Sequence, residues 1–260
     1  MKALHIAATG MRAQELNVEV ISNNVANMRT TGYKRQRADF QDLLYQNLRR
    51  MGTNSSANGT VVPTGVQIGS GVKTASTARI MSQGNLTQTG KELDVAVRGE
   101  GFFQIQMPDG GTAYTRDGSF ERDPNGQLVT IDGYAILPGI VIPEDARDIT
   151  ISTDGQVQVL DANNAVQQLG QIQTARFINK SGLEAIGDNL FLPTESSGAA
   201  IVGTPGEAGF GDLMQKHLEM ANVEAVGEIS DLIAAQRAYE MNSRIIKAAD
   251  EMSATTSNLR

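Results

Sequence analysis

The chain has 260 residues, enough for one large folded domain or two small ones. Its formal net charge of -7 argues against general affinity for nucleic acid or anionic membranes, because both need a cationic surface. It contains no cysteine, which excludes disulfides, thiolate metal sites and a cysteine nucleophile.

The N-terminal residues do not read as a secretory signal peptide. Arg12, Gln14 and Glu15 interrupt every apolar run in this region. No stretch of the sequence approaches the roughly 20 apolar residues of a transmembrane helix. We therefore expect no direct membrane insertion, and we expect any export from the cytoplasm to proceed without a cleavable signal peptide.

The first predicted element is a long amphipathic helix that ends near Asn27. Its predicted seam follows alternating spacings of three and four residues, and every member except Gln14 is apolar: Leu4, Ala7, Met11, Gln14, Val18, Ile21, Val25 and Met28. This pattern is typical of a coiled-coil seam. Asparagine tolerates the left-handed conformation found at helix C-termini, and residues 30–32 have the composition of a turn.

The next segments are predicted to be extended. Residues 47–75 are rich in Gly, Ser, Asn and Thr and are interpreted as an extended connector. Residues 76–209 hold short alternating runs separated by turn dipeptides, namely Asp117-Gly118, Asn125-Gly126, Asp132-Gly133 and Asp154-Gly155. Such dipeptides between apolar runs predict hairpins, and therefore an inserted antiparallel β-rich domain.

A second amphipathic helix is predicted from about Asp212 to Met252. This stretch has no Pro and one Gly, and its apolar residues fall in two heptad frames: Val226, Ile229 and Ile233, then Ala234, Ala238, Met241, Ile245, Ala248 and Met252. The predicted fold is α+β, with coiled-coil-like terminal helices that pair into one core domain. Its parts are residues 1–46 plus 210–260, the connector 47–75 and the β-rich outer domain 76–209.

The two ends carry complementary charge. Residues 1–50 hold eight Lys/Arg and four Asp/Glu, giving +4, whereas residues 212–252 hold four Lys/Arg and eight Asp/Glu, giving -4. Arg29, Lys34, Arg35 and Arg37 form a basic cluster after the first helix. We interpret this cluster as a solvated turn, or as a surface that faces the acidic C-terminal helix of a neighbouring chain.

No catalytic, cofactor-binding or metal-binding residues are predicted. The two histidines, His5 and His217, each fall on a predicted terminal helix without a metalloprotease or Ser/His/Asp pattern nearby. Amphipathic helices often bury their apolar faces within one molecule. Here the β-rich segment separates the two helices, and two helices alone form a thin core, so packing against other copies of the chain is the better expectation.

Several motifs in order resemble the flagellar basal-body rod and hook protein family. The N-terminal signature is similar to residues 23–34 (NNVANMRTTGYK), and the C-terminal signature to residues 236–242 (QRAYEMN). The start of the family's central β domain resembles residues 93–103, and the match continues through residues 114–120 and 126–130. Within the family, the length and residues 45–85 look most like the distal rod protein.

The resemblance implies a structural subunit that polymerises into a rigid hollow tube, transmits torque and conducts exported subunits. Implied partners are copies of the chain, other rod and hook subunits, the surrounding rings and the flagellar export apparatus, in a basal body crossing the periplasm. Alternatives are a hook or other rod-type axial subunit and, outside the family, a β-domain binding module or hydrolase with helical dimerisation arms.

The predicted subunit interface combines the two seams with the signature motifs. Its N-terminal members are Leu4, Met11, Val18, Ile21, Asn23, Asn24, Val25, Asn27, Thr31, Gly32 and Tyr33. Its C-terminal members are Ile229, Ile233, Gln236, Arg237, Tyr239, Met241 and Ile245. A further hypothesis is that residues 47–74 wedge between neighbouring subunits and set the rigidity of the polymer.

Overall fold

The computed structural model of the chain describes residues 2–49, 51, 64–162 and 165–258. Most of the central part of the predicted connector, residues 50 and 52–63, lies outside the described residues. The chain divides into two compact units. The helical unit comprises Met1–Val25, Gln36–Ala78 and Ala225–Arg260, and the β-rich unit comprises Ala26–Arg35 and Arg79–Glu224.

The helical unit contains the two long helices, α1 (Lys2–Ala26) and α2 (Ala225–Asn258). The predicted end of the first helix near Asn27 is confirmed to within one residue. Glu228 lies in the first turn of α2, where a carboxylate interacts favourably with the positive end of the helix dipole.

The same unit contains strands that follow α1. These are β1 (Gln36–Asp42), β2 (Tyr45–Arg49), β3 (Val66–Gly69) and β4 (Val72–Arg79), of which Arg79 groups with the β-rich unit. β1 pairs with β4, and β2 pairs antiparallel with β3, with Tyr45 opposite Gly69. The described ends of the predicted connector are thus paired strands.

The β-rich unit contains fifteen further described strands and one 3-10 turn, Lys180–Gly182. The strands are β5 (Leu86–Gln88), β6 (Val95–Arg98), β7 (Phe102–Gln106), β8 (Thr112–Thr115), β9 (Glu121–Arg122), β10 (Leu128–Val129), β11 (Asp148–Ile151), β12 (Gln156–Leu160), β13 (Val166–Gln171), β14 (Thr174–Arg176), β15 (Glu184–Gly187), β16 (Leu190–Leu192), β17 (Ile201–Gly203), β18 (Asp212–Gln215) and β19 (His217–Glu219).

A six-stranded sheet organises this unit, in the order β15-β16-β8-β7-β14-β17. A three-stranded sheet, β11-β12-β13, and the pairs β18-β6, β19-β5 and β10-β9 complete the described strands of the unit. The pairings with a described register in this unit are antiparallel. The α+β fold class is confirmed.

The six-stranded sheet carries a hydrophobic cluster on each face. Successive side chains of a strand point to opposite faces, so neighbouring residues of β7 enter different clusters. Phe103 and Ile105 belong to a large cluster with Phe120, whereas Phe102 belongs to a smaller cluster with Phe177. Both faces of β7 are therefore buried, which gives the unit its own core.

The prediction of a helix from about Asp212 was wrong, since α2 begins only at Ala225. Residues 212–219 form β18 and β19, which pair with β6 and β5 more than one hundred positions earlier. Leu213 is buried opposite Val97, and Lys216 adopts a φ of 62° that separates the two strands. His217 therefore lies on a strand and not on the terminal helix. Absence of Pro and Gly did not distinguish these strands from a helix.

Two predicted hairpins are confirmed. Asn125-Gly126 joins β9 to β10, and Asp154-Gly155 joins β11 to β12. Asp132-Gly133 forms a tight turn between bridged residues, because Gly133 N donates to Thr130 O at 2.9 Å. Asp117-Gly118 differs from the prediction: it follows β8, which pairs with β7 and β16, and Gly118 O accepts a bond from Val95 N instead.

Candidate assembly surface and buried ionic cluster

The long C-terminal helix exposes a row of large apolar side chains. The exposed fractions are 49% for Ile229, 46% for Ile233, 59% for Met241 and 49% for Ile245. Buried residues of α2 are instead Glu228, Ala235 and Ala249. The predicted apolar seam of this helix thus lies on the outside of the single chain, where another chain has access to it.

The predicted seam of α1 is only partly covered. Ile21 is buried, whereas Leu4, Met11, Val18 and Val25 are half-buried. Ala13 and Val20, which the predicted seam omitted, are also buried. A second stripe, seven residues in period, therefore lies beside the predicted one.

Two contacts bring the helices together. Asn24 Nδ2 donates a hydrogen bond to Glu228 Oε2 at 3.1 Å. A Cβ atom on Gly10 would stand 3.0 Å from Asn242 Nδ2. Gly10 precedes Asn24 on α1, but its partner Asn242 follows Glu228 on α2. The helices are therefore antiparallel where they touch.

An acidic groove lies on the helical unit beside these contacts. Its cavity of about 390 Å³ is lined by Val18 and Tyr239, together with Gln236 and the carboxylates of Glu15, Glu19 and Glu240. A lining that combines apolar and acidic side chains suits the long, cationic side chain of Lys or Arg, whose methylene groups pack while the charged end meets carboxylates.

Asn24 also joins the helices to the strand that follows. Its side chain donates to Gln36 O at 2.8 Å and accepts from Gln36 N at 2.9 Å, so it mimics a backbone strand partner. Asn24 is 1% exposed and joins α1 to groups on β1 and α2 at once. The first asparagine of the signature motif, Asn23, is exposed.

The β-rich unit holds a buried cluster of three charged side chains. Glu219 pairs with Lys34 through one carboxylate oxygen and accepts from Arg116 Nη1 through the other at 3.2 Å. The side-chain exposures of Lys34, Arg116 and Glu219 are 1%, 3% and 0%. Gly84 N also donates to Glu219 Oε1 at 2.8 Å.

Carbonyl groups satisfy the excess positive charge of this cluster. Lys34 Nζ donates to Ser82 O at 2.9 Å, and Arg116 donates to Val97 O at 3.2 Å and to Gly99 O at 2.6 Å. Burial lowers the pKa of Lys34 from its ordinary value of 10.5, and the charge of Glu219 opposes that shift. Burial also lowers the pKa of Arg116, again opposed by Glu219.

The interpretation of Lys34 as part of a solvated turn or a contact to a neighbour was wrong. Its partner is Glu219 of the same chain, 185 positions away, and the pair is dry. Gly32 permits this arrangement: it has a φ of 68°, its N donates to Glu219 O at 2.8 Å, and a Cβ there would stand 2.7 Å from Asp117 N. Residues 26–34 of the signature segment are therefore built into the β-rich unit.

Asn222 ties three passages of the chain at the margin of this cluster. Its Oδ1 accepts from Arg35 N at 2.7 Å, and its Nδ2 donates to Ile80 O at 2.8 Å and to Ser82 O at 3.1 Å. Ile80 N in turn donates to Arg35 O at 2.9 Å. Sequence reasoning missed Asn222, because nothing local to residues 220–224 shows that two distant backbones meet there.

Neither histidine stands in a catalytic arrangement. His5 is exposed on α1, and His217 Nδ1 contacts Gln215 O at 2.8 Å. Within the described ranges no group of three or more His, Asp or Glu side chains is placed to hold a metal ion. A search of the helices in the same residues finds none that combines the length and apolarity needed to span a membrane.

Three family models match successive parts of the chain. The model described as "Flagella basal body rod protein" matches residues 4–34, "Flagellar hook protein FlgE/F/G D1 domain" matches residues 96–159, and "Flagellar basal body rod FlgEFG protein C-terminal" matches residues 214–259. They cover α1 with its signature segment, the start of the β-rich core and the acidic end with α2.

Whole-length relatives give the same assignment. The chain is 59% identical to "Flagellar basal-body rod protein FlgG" of Caulobacter vibrioides, over 100% of both chains. It is 54% identical to the protein of that name in Agrobacterium fabrum, over 99% of this chain and 98% of the relative. It is 38% identical to the one in Bacillus subtilis, over 100% and 99%.

The chain belongs to the flagellar basal-body rod and hook protein family. The relatives named above are structural proteins of the flagellar rod. Within that family it is most similar to the rod proteins called FlgG, and the predicted resemblance is confirmed.

The predicted interface residues are divided between the two units. Asn27, Thr31, Gly32 and Tyr33 group with the β-rich unit, and of these only Gly32 is fully buried. The C-terminal members that remain exposed in the single chain are Ile229, Ile233, Gln236, Arg237, Tyr239, Met241 and Ile245.

Proposed function

We propose that the chain is a structural subunit of the flagellar distal rod, and that it polymerises with copies of itself into a rigid hollow helical tube. In this proposal the tube transmits torque and conducts exported subunits, without any catalytic step or cofactor. The observation that carries the proposal is the row of exposed apolar residues on α2. Four of them leave 46–59% of their side chains open to water.

The physical reason is the cost of leaving this helix alone. Isolated helices are marginal in water, and most helical stability in proteins comes from burying an apolar face. The buried face of α2 in the single chain presents Ala235, Ala249 and the charged Glu228, which provide little apolar area. Covering Ile229, Ile233, Met241 and Ile245 with neighbouring copies supplies the missing area, so folding of the ends is coupled to assembly.

Charge complementarity supports a second copy as the occupant of the exposed face. The acidic groove lined by Glu15, Glu19 and Glu240 suits a cationic side chain, and Arg12 of each copy is exposed on α1. A contact between such a cation of one copy and the groove of the next joins two different surfaces and is head-to-tail. Contacts of that kind do not close on themselves and generate helical polymers.

In the assembled rod, the proposed interface retains the N-terminal and C-terminal sets predicted from the sequence. Coiled-coil packing of α1 and α2 belongs to this proposal, with the helical unit lining the tube and the β-rich unit forming the outer wall. Other rod and hook subunits, the surrounding rings and the export apparatus are the proposed partners. The proposed location is the basal body where it crosses the periplasm, reached without a cleavable signal peptide.

The described ends of the connector support its proposed role in rod rigidity. β2 and β3 form a two-stranded hairpin on which Tyr45, Leu48 and Val66 are 55%, 60% and 48% exposed. A lone two-stranded hairpin is marginally stable in water, so a neighbouring subunit that covers these side chains would stabilise it. Deleting residues 47–74 is expected to leave export intact and to give a more bendable polymer, and a polymer of unchanged stiffness would contradict this role.

The central test replaces Ile229 and Ile233 by Ser together and measures assembly by sedimentation. We expect the concentration needed for polymerisation to rise at least about tenfold, since two half-exposed isoleucines no longer bury apolar surface. The matched control is Ile131→Ser with Ile178→Ser, at positions 72% and 85% exposed on the β-rich unit. Equal losses from both pairs would refute the assignment of the interface to α2.

Hydrogen exchange on the soluble chain and on the polymer distinguishes a self-assembling structural subunit from a self-contained binding module or hydrolase. Coupled folding and assembly predicts fast exchange of residues 2–26 and 225–258 in the soluble chain and protection in the polymer. A soluble chain whose ends are already protected and which never polymerises would favour a binding module or hydrolase with helical dimerisation arms.

A further inference from the structure

The two long helices contact each other at small and polar residues, Gly10 with Asn242 and Asn24 with Glu228. On α2 these residues recur every seven positions, three of them buried and one half-buried: Glu228, Ala235, Asn242 and Ala249. On α1 the residues at the same spacing of seven are the exposed Ala3, the half-buried Gly10 and Asn17, and the buried Asn24. Large apolar residues lie beside the α2 stripe and not on it.

The two observed contacts belong to one register. In both Asn24–Glu228 and Gly10–Asn242 the residue numbers add to 252. The contacts are 14 residues apart on each helix, which is two heptads. An equal spacing on two antiparallel helices means that a single alignment satisfies both contacts, and that alignment also sets Asn17 opposite Ala235.

A shift by one heptad breaks the Asn24–Glu228 contact in either direction. One shift sets Asn24 opposite Ala235 and moves Glu228 beyond the end of α1. The other sets Glu228 opposite Asn17 and moves Asn24 beyond the start of α2. Asn24 is 1% exposed and loses its hydrogen bond to the Glu228 carboxylate in both shifts, which is costly for a buried amide. Glu228 meets another amide, that of Asn17, in only one of the two shifts.

We infer that the contacts Asn24–Glu228 and Gly10–Asn242 fix the register and the antiparallel direction of the helix pair, whereas the large apolar residues are left for contacts between copies. A buried polar residue within a helical seam specifies alignment at a cost in stability. Gly10 serves the same purpose, because glycine weakens a helix interior but allows Asn242 to approach α1 closely. Four positioning residues thus define which faces the pair presents to its neighbours.

Disulfide trapping tests the register, since the chain has no cysteine of its own. A Cβ on residue 10 lies 3.2 Å from Asn242 Cγ, so Gly10→Cys with Asn242→Cys brings two thiols within disulfide reach. Gly10→Cys with Ala235→Cys and Gly10→Cys with Ala249→Cys report the two shifted registers. We expect the first pair to cross-link at least about ten times faster than either shifted pair.

The second step removes the Asn24–Glu228 contact, which lies two heptads from the cross-linked positions 10 and 242. Asn24→Leu with Glu228→Leu is expected to reduce the preference for the first pair to less than about threefold, since alignment then depends on apolar packing alone. The matched control is Ser22→Leu with Asp231→Leu, which makes the same kinds of change at exposed positions of the same helices. This control is expected to retain the preference.

Disulfide cross-linking is carried out on both the soluble chain and its sedimented assembly. Bonds within one chain are recognised because the product keeps the mobility of a monomer on a non-reducing gel. Failure of the first pair to close faster than the shifted pairs in the sedimented assembly, or an unchanged preference there after Asn24→Leu with Glu228→Leu, would overturn the inference. The inference concerns contacts within one chain. Loss of polymerisation with the register intact therefore counts against the proposed function and not against these positioning residues.

Discussion

Removing Glu219 from the buried cluster is expected to destabilise the β-rich unit more than removing Lys34. Glu219→Gln keeps the shape and an acceptor for Gly84 N, but it leaves the cations of Lys34 and Arg116 buried side by side without a carboxylate. Breaking a buried ion pair costs roughly 3–5 kcal/mol. We place Glu219→Gln near the upper end of that range.

Lys34→Met is expected to lower the free energy of unfolding by about 3 kcal/mol, the lower end of that range, because Arg116 still neutralises Glu219 at 3.2 Å. For a unit of this size that loss lowers the Tm by roughly 6–12 °C. The matched control is Lys91→Met, whose partner Glu121 is 56% exposed, and a surface pair of this kind contributes about 0–1 kcal/mol.

Hydrogen exchange measured by mass spectrometry on peptides of β6 and β18 gives the opening free energy of this unit separately from the helical unit. Separate measurement matters because a chain with two units need not unfold in a single step. A Lys34→Met variant within about 0.5 kcal/mol of the parent, or a Glu219→Gln variant that is the more stable of the two, would refute the reasoning.

Three further outcomes are expected from substitutions in the β-rich unit. Gly118→Ala should cost roughly 3 kcal/mol or more in the free energy of unfolding, because its Cβ would stand 1.6 Å from Val95 O, whereas Gly133→Ala, with no atom within 4 Å, should cost about 1 kcal/mol in thermal melts. Phe103→Ala should cost about 3–5 kcal/mol by urea denaturation, since Phe103 is fully buried. Asp212→Asn should destabilise at neutral pH and lose its effect under acid: hydrogen bonding from Arg98 lowers the pKa of Asp212, so the carboxylate stabilises above its ordinary pKa of 3.8 and no longer does so once pH falls below the folded value.

Local signals in the sequence predicted the elements that local physics determines. The end of α1 near Asn27 and the turns at Asn125-Gly126 and Asp154-Gly155 depend on conformational preferences of one or two residues. These preferences act whatever the rest of the chain does. The family motifs, which occur in order along the chain, then predicted that the whole chain belongs to the rod and hook protein family.

The parts that were missed depend on partners distant in sequence. β18 is a strand because β6 offers it an edge, and Lys34 is buried because the Glu219 carboxylate and the Ser82 carbonyl reach it. The seam prediction weighted large apolar residues and so overlooked the stripe that includes Ala235 and Asn24. Small and polar residues carry little signal until a contacting helix is known.

The connectivity of the β-rich unit has a consequence for splitting the protein. A continuous fragment of residues 79–224 contains Glu219 and Arg116 but lacks residues 26–35, which supply Lys34 and the backbone of Gly32 and Arg35. The missing decapeptide is held in the intact chain as a bound ligand is held, through an ion pair and backbone hydrogen bonds. Added in trans, a synthetic peptide of residues 26–35 is therefore the natural complement of that fragment, and its affinity would measure how strongly the family signature is anchored.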